Sequence, residues 1–268
     1  MVTPSFALRR SWTILNDRLR RTVTRALTER VAGYELKVPN DMTRVYQYIQ
    51  RGDVVLVEGE LRISQLVKYA TQSPWSHSAF YVGDEMLRRG GRFREQAVAH
   101  FGKLADRLLV EALTHEGVVV APLAKYEWHN IRICRPYGIS PVDLDKVIDS
   151  VIADLGKRYD NRNFIDLTLM LLSPIKFGPL RRRTIETCLG NCTDLQVICS
   201  GMIAKAFHRV GYPILSELDI GKREDGKRAE THSAPPRRHY SQIVPRDFDL
   251  SPNFEIVKFR TAGSEAPK

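Results

Sequence analysis

The sequence predicts an α+β fold in which an antiparallel sheet packs on helices. Short apolar runs bounded by glycine or charged residues recur after residue 52 and are typical of strands. Two of these runs, 108–113 and 118–121, flank Glu116-Gly117 and predict a β-hairpin. Helical spacing of apolar side chains occupies separate segments, so we expect the helices to be segregated from the sheet.

The bulk composition indicates a globular protein. The chain has 268 residues, enough for one large domain or two small ones, and 43% of them are hydrophobic. No apolar span reaches the roughly 18 residues of a transmembrane helix. Arg9-Arg10 leads into mixed polar residues rather than the apolar centre of a signal peptide. Four cysteines are too few for a disulfide framework, so we expect a reducing cytoplasm.

The charge balance is basic. Lysine and arginine number 41 against 31 aspartates and glutamates, which gives a formal net charge of +10. Such a chain favours contact with anionic surfaces, either phospholipid or nucleic acid. The sequence has neither zinc-finger spacing nor an RNA-binding aromatic pattern, so no specific nucleic-acid partner is predicted.

An amphipathic helix is predicted over residues 8–31, within a basic N-terminal extension that covers residues 1–44. Seven arginines and only two acidic residues, Asp17 and Glu29, accompany an apolar stripe that includes Trp12. Two interpretations stay open. The stripe packs on the domain and leaves a solvated basic face, or it lies in the headgroup layer of an anionic membrane and makes the protein peripheral.

The main domain is predicted to cover residues 45–262. A helix is expected at 61–69, and a polar insertion with some helix at 84–106. Residues 221–240 are charged and contain proline, which predicts a mobile surface loop, and 263–268 form a disordered tail. Apolar runs predict strands at 53–57, 78–82, 108–113, 118–121, 131–134 and 254–259.

Two further helices have clear start and stop signals. Ser140 is a good cap, Pro141 suits the first helical position, and this helix should run to about Leu155, before Gly156. The second helix follows a short apolar run at 195–198. It begins near Cys199 and ends before Gly211.

Cys199 is the first candidate for chemistry. A thiol at a helix N-terminus lies at the positive end of the helix dipole, which stabilises the thiolate and lowers its pKa. The amides of the first helical turn, including that of Ser200, can donate to an oxyanion. A free cysteine is also often a small buried hydrophobic residue, and its position alone leaves that interpretation open.

His77 and Glu111 are the candidate partners of this thiol. A nucleophilic cysteine needs a base that takes its proton and later gives it to the leaving group, and His77 opens a predicted strand. Glu111 lies inside the apolar run 108–113, where an unpaired buried charge is costly. A histidine on a neighbouring strand would pair with it, as in catalytic triads. A structural histidine and an exposed glutamate on an edge strand are the alternatives.

Four short motifs together resemble the YiiX/YebB-like branch of NlpC-type papain-like cysteine hydrolases. They are Gly52-Asp53-Val54-Val55-Leu56, Trp75-Ser76-His77-Ser78-Ala79, Val110-Glu111-Ala112 and Ile198-Cys199-Ser200-Gly201. The resemblance extends from about residue 51 to residue 212. In that branch the chain is circularly permuted, so that the histidine and the acid precede the cysteine.

The resemblance implies a permuted papain-like core with Cys199 as the nucleophile, His77 as the base and Glu111 as the acid that orients it. The stretch 156–160 is similar to a Gly-x-x-Tyr-Asp motif of the family, which places Tyr159 either beside the site or in the core. Further candidates for substrate or oxyanion binding are Trp75, Ser76 and Ser200. The insertions at 84–106 and 173–194 fall outside the resemblance.

The implied activity is attack on an amide, ester or thioester bond through an acyl-enzyme, by a hydrolase or acyltransferase that needs no cofactor. Cys188 and Cys192 have a spacing that zinc permits, but no second pair completes four ligands, so no metal is predicted. Relatives of this fold act on peptidoglycan or on lipids, and the basic segment 8–31 favours a lipid or lipidated acyl substrate. The alternative is a catalytically inactive basic module on the same fold that binds a membrane or a partner.

Overall fold

The computed structural model describes residue 29 and residues 39–113, 116–159, 196–197, 199–215 and 239–258. Eight strands are present in this part of the chain: β1 (Val54–Val57), β2 (His77–Gly83), β3 (Leu108–Leu113), β4 (Gly117–Pro122), β5 (Ile131–Pro136), β6 (Arg158–Tyr159), β7 (Gln196–Val197) and β8 (Phe254–Ile256). Six of them form one antiparallel sheet in the order β4-β3-β2-β1-β5-β8. The predicted α+β class with an antiparallel sheet is confirmed.

Seven helices accompany the sheet within the described residues. They are α1 (Met42–Tyr48), α2 (Arg62–Thr71), α3 (Glu85–Arg89), α4 (Gly91–Phe101), α5 (Pro141–Ile152), α6 (Cys199–Arg209) and α7 (Pro245–Asp249). The predicted cap of α5 is present, because Ser140 Oγ accepts a hydrogen bond from the Asp143 N–H at 3.1 Å. After α6, Gly211 adopts a φ of +73°, a left-handed conformation that favours glycine and ends the helix.

Both faces of the sheet are buried, and side chains alternate between the two faces along each strand. Val54, Leu56 and Phe80 lie on one face and belong to the same core as buried residues of α5 and α6. Val55 and Ala79 lie on the other face, in a core with Val45 of α1. A short 3₁₀ turn, Leu123–Tyr126, closes this second core and carries two of the residues that surround the candidate site.

A second, two-stranded sheet was not predicted. β6 and β7 pair in parallel, with Tyr159 opposite Val197. The chain before β6 is tied to β4, because the Val118 N–H donates to the Lys157 carbonyl at 2.8 Å and the Gly156 N–H donates to the Val118 carbonyl at 2.9 Å. Because β7 pairs with β6, the segment just before α6 lies near β4. This pairing therefore positions the start of α6, where Cys199 lies.

The polar insertion at 84–106 contains two helices, α3 and α4, and is therefore more regular than predicted. Other predictions fall outside the described residues: most of the segment 8–31, the insertion at 173–194 with Cys188 and Cys192, the loop at 221–238 and the tail at 263–268. Glu29 is described, and its carbonyl and carboxylate contact the backbone N–H and the guanidinium of Arg62 at 2.9 and 3.2 Å.

Candidate active site

His77 and Glu111 meet on neighbouring strands of the main sheet. β2 pairs with β3 through Phe80 and Val110, and the alternation of side chains places His77 and Glu111 on the same face. The ring Nε2 of His77 lies 2.8 Å from Glu111 Oε2. Glu111 is 0% exposed in the interior strand β3, so the alternative of an exposed glutamate on an edge strand is wrong.

Glu111 receives three hydrogen bonds in this enclosed position. Lys125 Nζ donates to Oε1, while the Tyr126 hydroxyl and His77 both bond Oε2. Burial alone would raise the pKa of Glu111. The hydrogen bond and charge of His77, followed by those of Lys125, outweigh burial and lower that pKa from 4.5 to about 2. The carboxylate therefore stays ionised at neutral pH.

Cys199 approaches the same histidine from the start of α6. Because Nε2 of His77 is taken by Glu111, Nδ1 is the ring nitrogen left for the sulfur, and the two side chains are hydrogen bonded. The backbone N–H groups of Ser78 and Ser200 also donate to the Cys199 sulfur. Four chain segments that are far apart in sequence, β2, β3, the 123–126 turn and α6, thus build one cluster.

The cluster favours a thiolate–imidazolium pair. Burial would raise the pKa of Cys199, but the charge and hydrogen bond of His77, with the two backbone donors, lower it. Burial would lower the pKa of His77, but the neighbouring thiolate and carboxylate raise it to about 10. By contrast, burial raises the pKa of Cys134 to about 12, which leaves that thiol protonated. Of the two described cysteines, Cys199 is therefore the one whose pKa is lowered.

Two of the flanking residues predicted to bind substrate have structural contacts instead. Trp75 is only 2% exposed, and its indole N–H donates to Asp249 Oδ2 at 2.9 Å, so its ring offers no free face to a substrate. Ser76 Oγ accepts a hydrogen bond from the Gly59 N–H at 2.9 Å, which stabilises the turn after β1. Their position next to His77 suggested binding, but burial and internal hydrogen bonds oppose that assignment.

Of the other two predicted residues, Ser200 reaches the site through its backbone, and Tyr159 is described only by its backbone. Ser200 Oγ donates to the Ile243 carbonyl at 2.6 Å, whereas its N–H points to Cys199, so only the amide is available to the chemistry. Tyr159 is placed by its backbone, which pairs with Val197, and its side chain lies outside the described part.

Sequence reasoning missed Lys125 and Tyr126. Both follow β4 in the turn Leu123–Tyr126, and this turn crosses the face of the sheet on which Glu111 lies. A lysine and a tyrosine in a short polar connection carry no periodic pattern. The available indication was physical: a carboxylate predicted inside an apolar strand needs more partners than one histidine supplies.

The described residues contain neither a metal-binding cluster nor a membrane-spanning helix. Within these ranges, no three His, Cys, Asp or Glu side chains are grouped so that they could hold a metal ion. None of the helices resolved in this part of the chain is both long enough and apolar enough to cross a membrane.

Comparison with known proteins gives a distant similarity to a solved structure. No family model matches the chain, and no curated protein matches it. Among solved structures, it is similar to the metalloprotein yiiX from Escherichia coli O157:H7, assigned to DUF1105. The two chains are 16% identical, the TM-score is 0.45, and the match covers 80% of this chain and 98% of that one. A similarity at this level concerns the fold and says nothing about activity.

Proposed function

We propose that this protein is a cysteine-nucleophile hydrolase or acyltransferase built on a permuted papain-like core of the NlpC type. The observation that carries the proposal is the hydrogen-bonded series from Cys199 through His77 to the buried Glu111. A nucleophile, a base and a group that orients the base are the three parts that covalent acyl transfer needs. Their order in the chain, with the cysteine last, agrees with the permuted arrangement.

The reaction follows from these positions. The Cys199 thiolate attacks the carbonyl carbon of an amide, ester or thioester, and the carbonyl electron pair moves to oxygen. The Ser200 N–H donates to the Cys199 sulfur before the reaction. Once the sulfur has bonded to carbon, this N–H is free to donate to the oxyanion. The intermediate collapses, the His77 imidazolium gives its proton to the leaving group, and an acyl-thioester remains on Cys199. Glu111 holds the imidazolium in place throughout.

The second half regenerates the thiolate. Neutral His77 takes a proton from water or from an acceptor hydroxyl or amine, which then attacks the acyl-thioester carbonyl. Water releases the free acid, whereas another acceptor carries the acyl group away. The sulfur leaves as thiolate, and His77 is again an imidazolium. Hydrolase and acyltransferase therefore differ only in the nucleophile that reaches the acyl-enzyme.

An acyl-enzyme trap tests this function. The full chain is incubated with acyl-donor panels of activated esters, acyl thioesters and N-acyl amides, in short-chain and long-chain forms, and its intact mass is measured. We expect an acyl adduct that peptide mapping places on Cys199 and that Cys199→Ala abolishes. Cys134→Ala is the matched control and should keep the adduct, because Cys134 is buried and protonated.

A negative result has a definite meaning. If wild type and Cys199→Ala remain equally unmodified with every donor class, the acyl-transfer proposal is wrong. The inactive basic module on the same fold then becomes the better account. A long-chain preference in the adduct would favour a lipid or lipidated substrate, and a short-chain or amide preference would oppose it.

A further inference from the structure

The enclosed cluster contains one more charge than a cysteine triad requires. With Cys199 as thiolate, His77 as imidazolium and Glu111 as carboxylate, three formal charges leave one negative charge in excess. Lys125 brings its ammonium group onto Glu111 Oε1 and cancels that excess. Within the described part of the chain, it is the one lysine or arginine paired with this carboxylate.

Among the described residues that surround this cluster, none adds a second compensating charge. Tyr126 is a neutral donor, and burial and then the charge of Glu111 raise its pKa well above 10, so the phenol stays protonated. Val119 of β4 lies opposite Glu111 and is apolar. His129 packs edge-on against Tyr126, with ring centres 5.4 Å apart, and Glu60 lies 3.7 Å from His129 Nε2. That pair is reached through Tyr126, and neither residue contacts Glu111 in the described ion pairs.

We propose that Lys125 is a charge-balancing residue that keeps Cys199 and His77 in the thiolate–imidazolium form at neutral pH. This inference rests on the proposed function of the same three residues. Its geometric basis is that Lys125 and His77 hold opposite oxygens of one fully buried carboxylate. The Lys125 side chain is 33% exposed, so its charge is partly in water while its tip reaches the buried group.

The direction of the effect is fixed by charge. Without the ammonium group, the enclosed set would hold one uncompensated negative charge, which is costly in a buried position. A proton is then taken up by Cys199 or by Glu111. If Cys199 takes it, thiolate is lost directly. If Glu111 takes it, His77 loses its counter-charge, the imidazolium is disfavoured, and the thiol form again gains. Both routes raise the pH at which Cys199 becomes a thiolate.

The pH profile of Cys199 alkylation tests the inference. Full-length wild type, Lys125→Gln, Lys125→Met and Lys125→Arg are treated with iodoacetamide between pH 4 and 10, and the rate at Cys199 is followed by mass spectrometry. Glutamine keeps a donor for Glu111 without the charge, methionine removes both, and arginine keeps the charge. Lys157→Met is the matched control, because Lys157 forms a comparable pair with Asp154 at 2.6 Å and acts on none of the three site residues.

We expect the alkylation midpoint of Lys125→Gln and Lys125→Met to rise by about one pH unit or more, with about tenfold slower labelling well below the wild-type midpoint. Lys125→Arg and Lys157→Met should keep the wild-type midpoint. Thermal unfolding shows whether Lys125→Gln and Lys125→Met are folded. One folded variant of the two is enough for the test. Neutral variants whose profiles coincide with wild type overturn the role of Lys125. A wild-type Cys199 that titrates like an ordinary thiol overturns the proposed function itself.

Discussion

His77 and Glu111 are diagonal neighbours across two antiparallel strands, with Nε2 and Oε2 2.8 Å apart. Extending the register from Phe80 and Val110 places Ala79 opposite Glu111, so His77 is two residues further along the same face. The sheet itself therefore sets this contact. Cys199 is added from a helix that packs against the other core of the sheet and reaches the histidine near the start of β2.

Removing the imidazole should slow the labelling of Cys199. His77→Gln eliminates the cation that lowers the pKa of Cys199, and burial then favours the protonated thiol. We expect iodoacetamide labelling of Cys199 at pH 7 to fall at least about tenfold. Peptide mapping of all four cysteines measures this, and Cys134 should stay slow in both proteins. Wild-type labelling that is fastest at Cys134 or Cys188 would show that the nucleophile is misassigned.

Glu111→Gln should change how stability depends on acid. The folded-state pKa of Glu111 is about 2 and its ordinary value is 4.5, so its ionic contacts contribute stability above pH 4.5 that is lost as the pH falls towards 2. The glutamine variant should lack this loss and show a flatter curve between pH 4.5 and 2. At pH 7 it should be less stable by about 3 kcal/mol, because His77 and Lys125 lose a buried partner.

Urea unfolding at a series of pH values checks this prediction. Asp143→Asn is a suitable control, because Asp143 lies at the exposed start of α5 and is paired with Lys146 at 2.9 Å. Its removal should change stability only slightly, because exposed ion pairs contribute little. If the free energy of unfolding falls with pH equally steeply in wild type and Glu111→Gln, the carboxylate is not held ionised by its neighbours.

Tyr126→Phe removes the hydroxyl and keeps the ring, so it tests the contribution of the hydroxyl alone. The phenol donates to a fully buried carboxylate, so its loss should lower the free energy of unfolding by about 1–2 kcal/mol and alter the rate of Cys199 alkylation. Tyr212→Phe is the matched control, because the Tyr212 hydroxyl donates to the Tyr137 carbonyl at 2.8 Å, away from the site. It should lower stability and leave alkylation unchanged. Equal effects of both variants on alkylation would contradict a specific role for Tyr126.

Asp249 joins α7 to the segment before β2. Its carboxylate accepts from the Trp75 indole N–H at 2.9 Å and from Arg132 Nη1 at 2.6 Å. Asp249→Ala leaves a buried indole N–H unpaired, and we expect a loss of about 2–3 kcal/mol in the free energy of unfolding. Urea unfolding measures this. Cys199 alkylation in the folded variant should stay within about twofold of wild type, because Trp75 is a structural residue.

The basic segment 8–31 yields a prediction about membranes that uses the full chain. Its arginines and Trp12 suit the headgroup layer of anionic lipid. We expect salt-sensitive co-sedimentation with phosphatidylserine vesicles, weakened at least about tenfold when Arg18, Arg21 and Arg25 are changed to Glu, because each basic residue near the surface contributes about 1 kcal/mol. Binding that is unaffected by the three changes would favour the interpretation that this segment packs on the domain.

The contact between Glu29 and Arg62 bears on that second interpretation. It shows the end of the segment against the start of α2, through one backbone hydrogen bond and one exposed ion pair. An exposed pair of this kind contributes little stability. Vesicle binding therefore remains the measurement that separates the two interpretations.

Local sequence features predicted where the strands and the helices α5 and α6 lie, because each has a strong local cause. The predicted ends at Leu155 and residue 259 were too late, since α5 ends at Ile152 and β8 at Ile256. Ser140-Pro141 begins α5, and Gly211 ends α6. The contact between His77 and Glu111 could also be predicted, because a carboxylate inside an apolar strand needs a buried partner. The contacts of Lys125 and Tyr126 could not be predicted, because they depend on how one short turn crosses the sheet.

Adjacency in sequence was a poor guide to the flanking residues. Trp75 and Ser76 precede His77, yet their side chains contact Asp249 and Gly59. Side-chain direction at the start of a strand is set by long-range packing, which short motifs do not encode. The parallel pairing of β6 and β7 was missed for a related reason: two-residue strands are too short to show periodicity.

The order of the site residues along the chain has a consequence for the timing of synthesis. His77 and Glu111 leave the ribosome well before Cys199, and the strands that carry them pair locally through short connections. Cys199 is made only after the long stretch between β6 and β7. Under the proposed function, the nucleophile is therefore the last of the three residues to be synthesised. A fragment that ends before α6 lacks Cys199 and could not form the proposed acyl-enzyme.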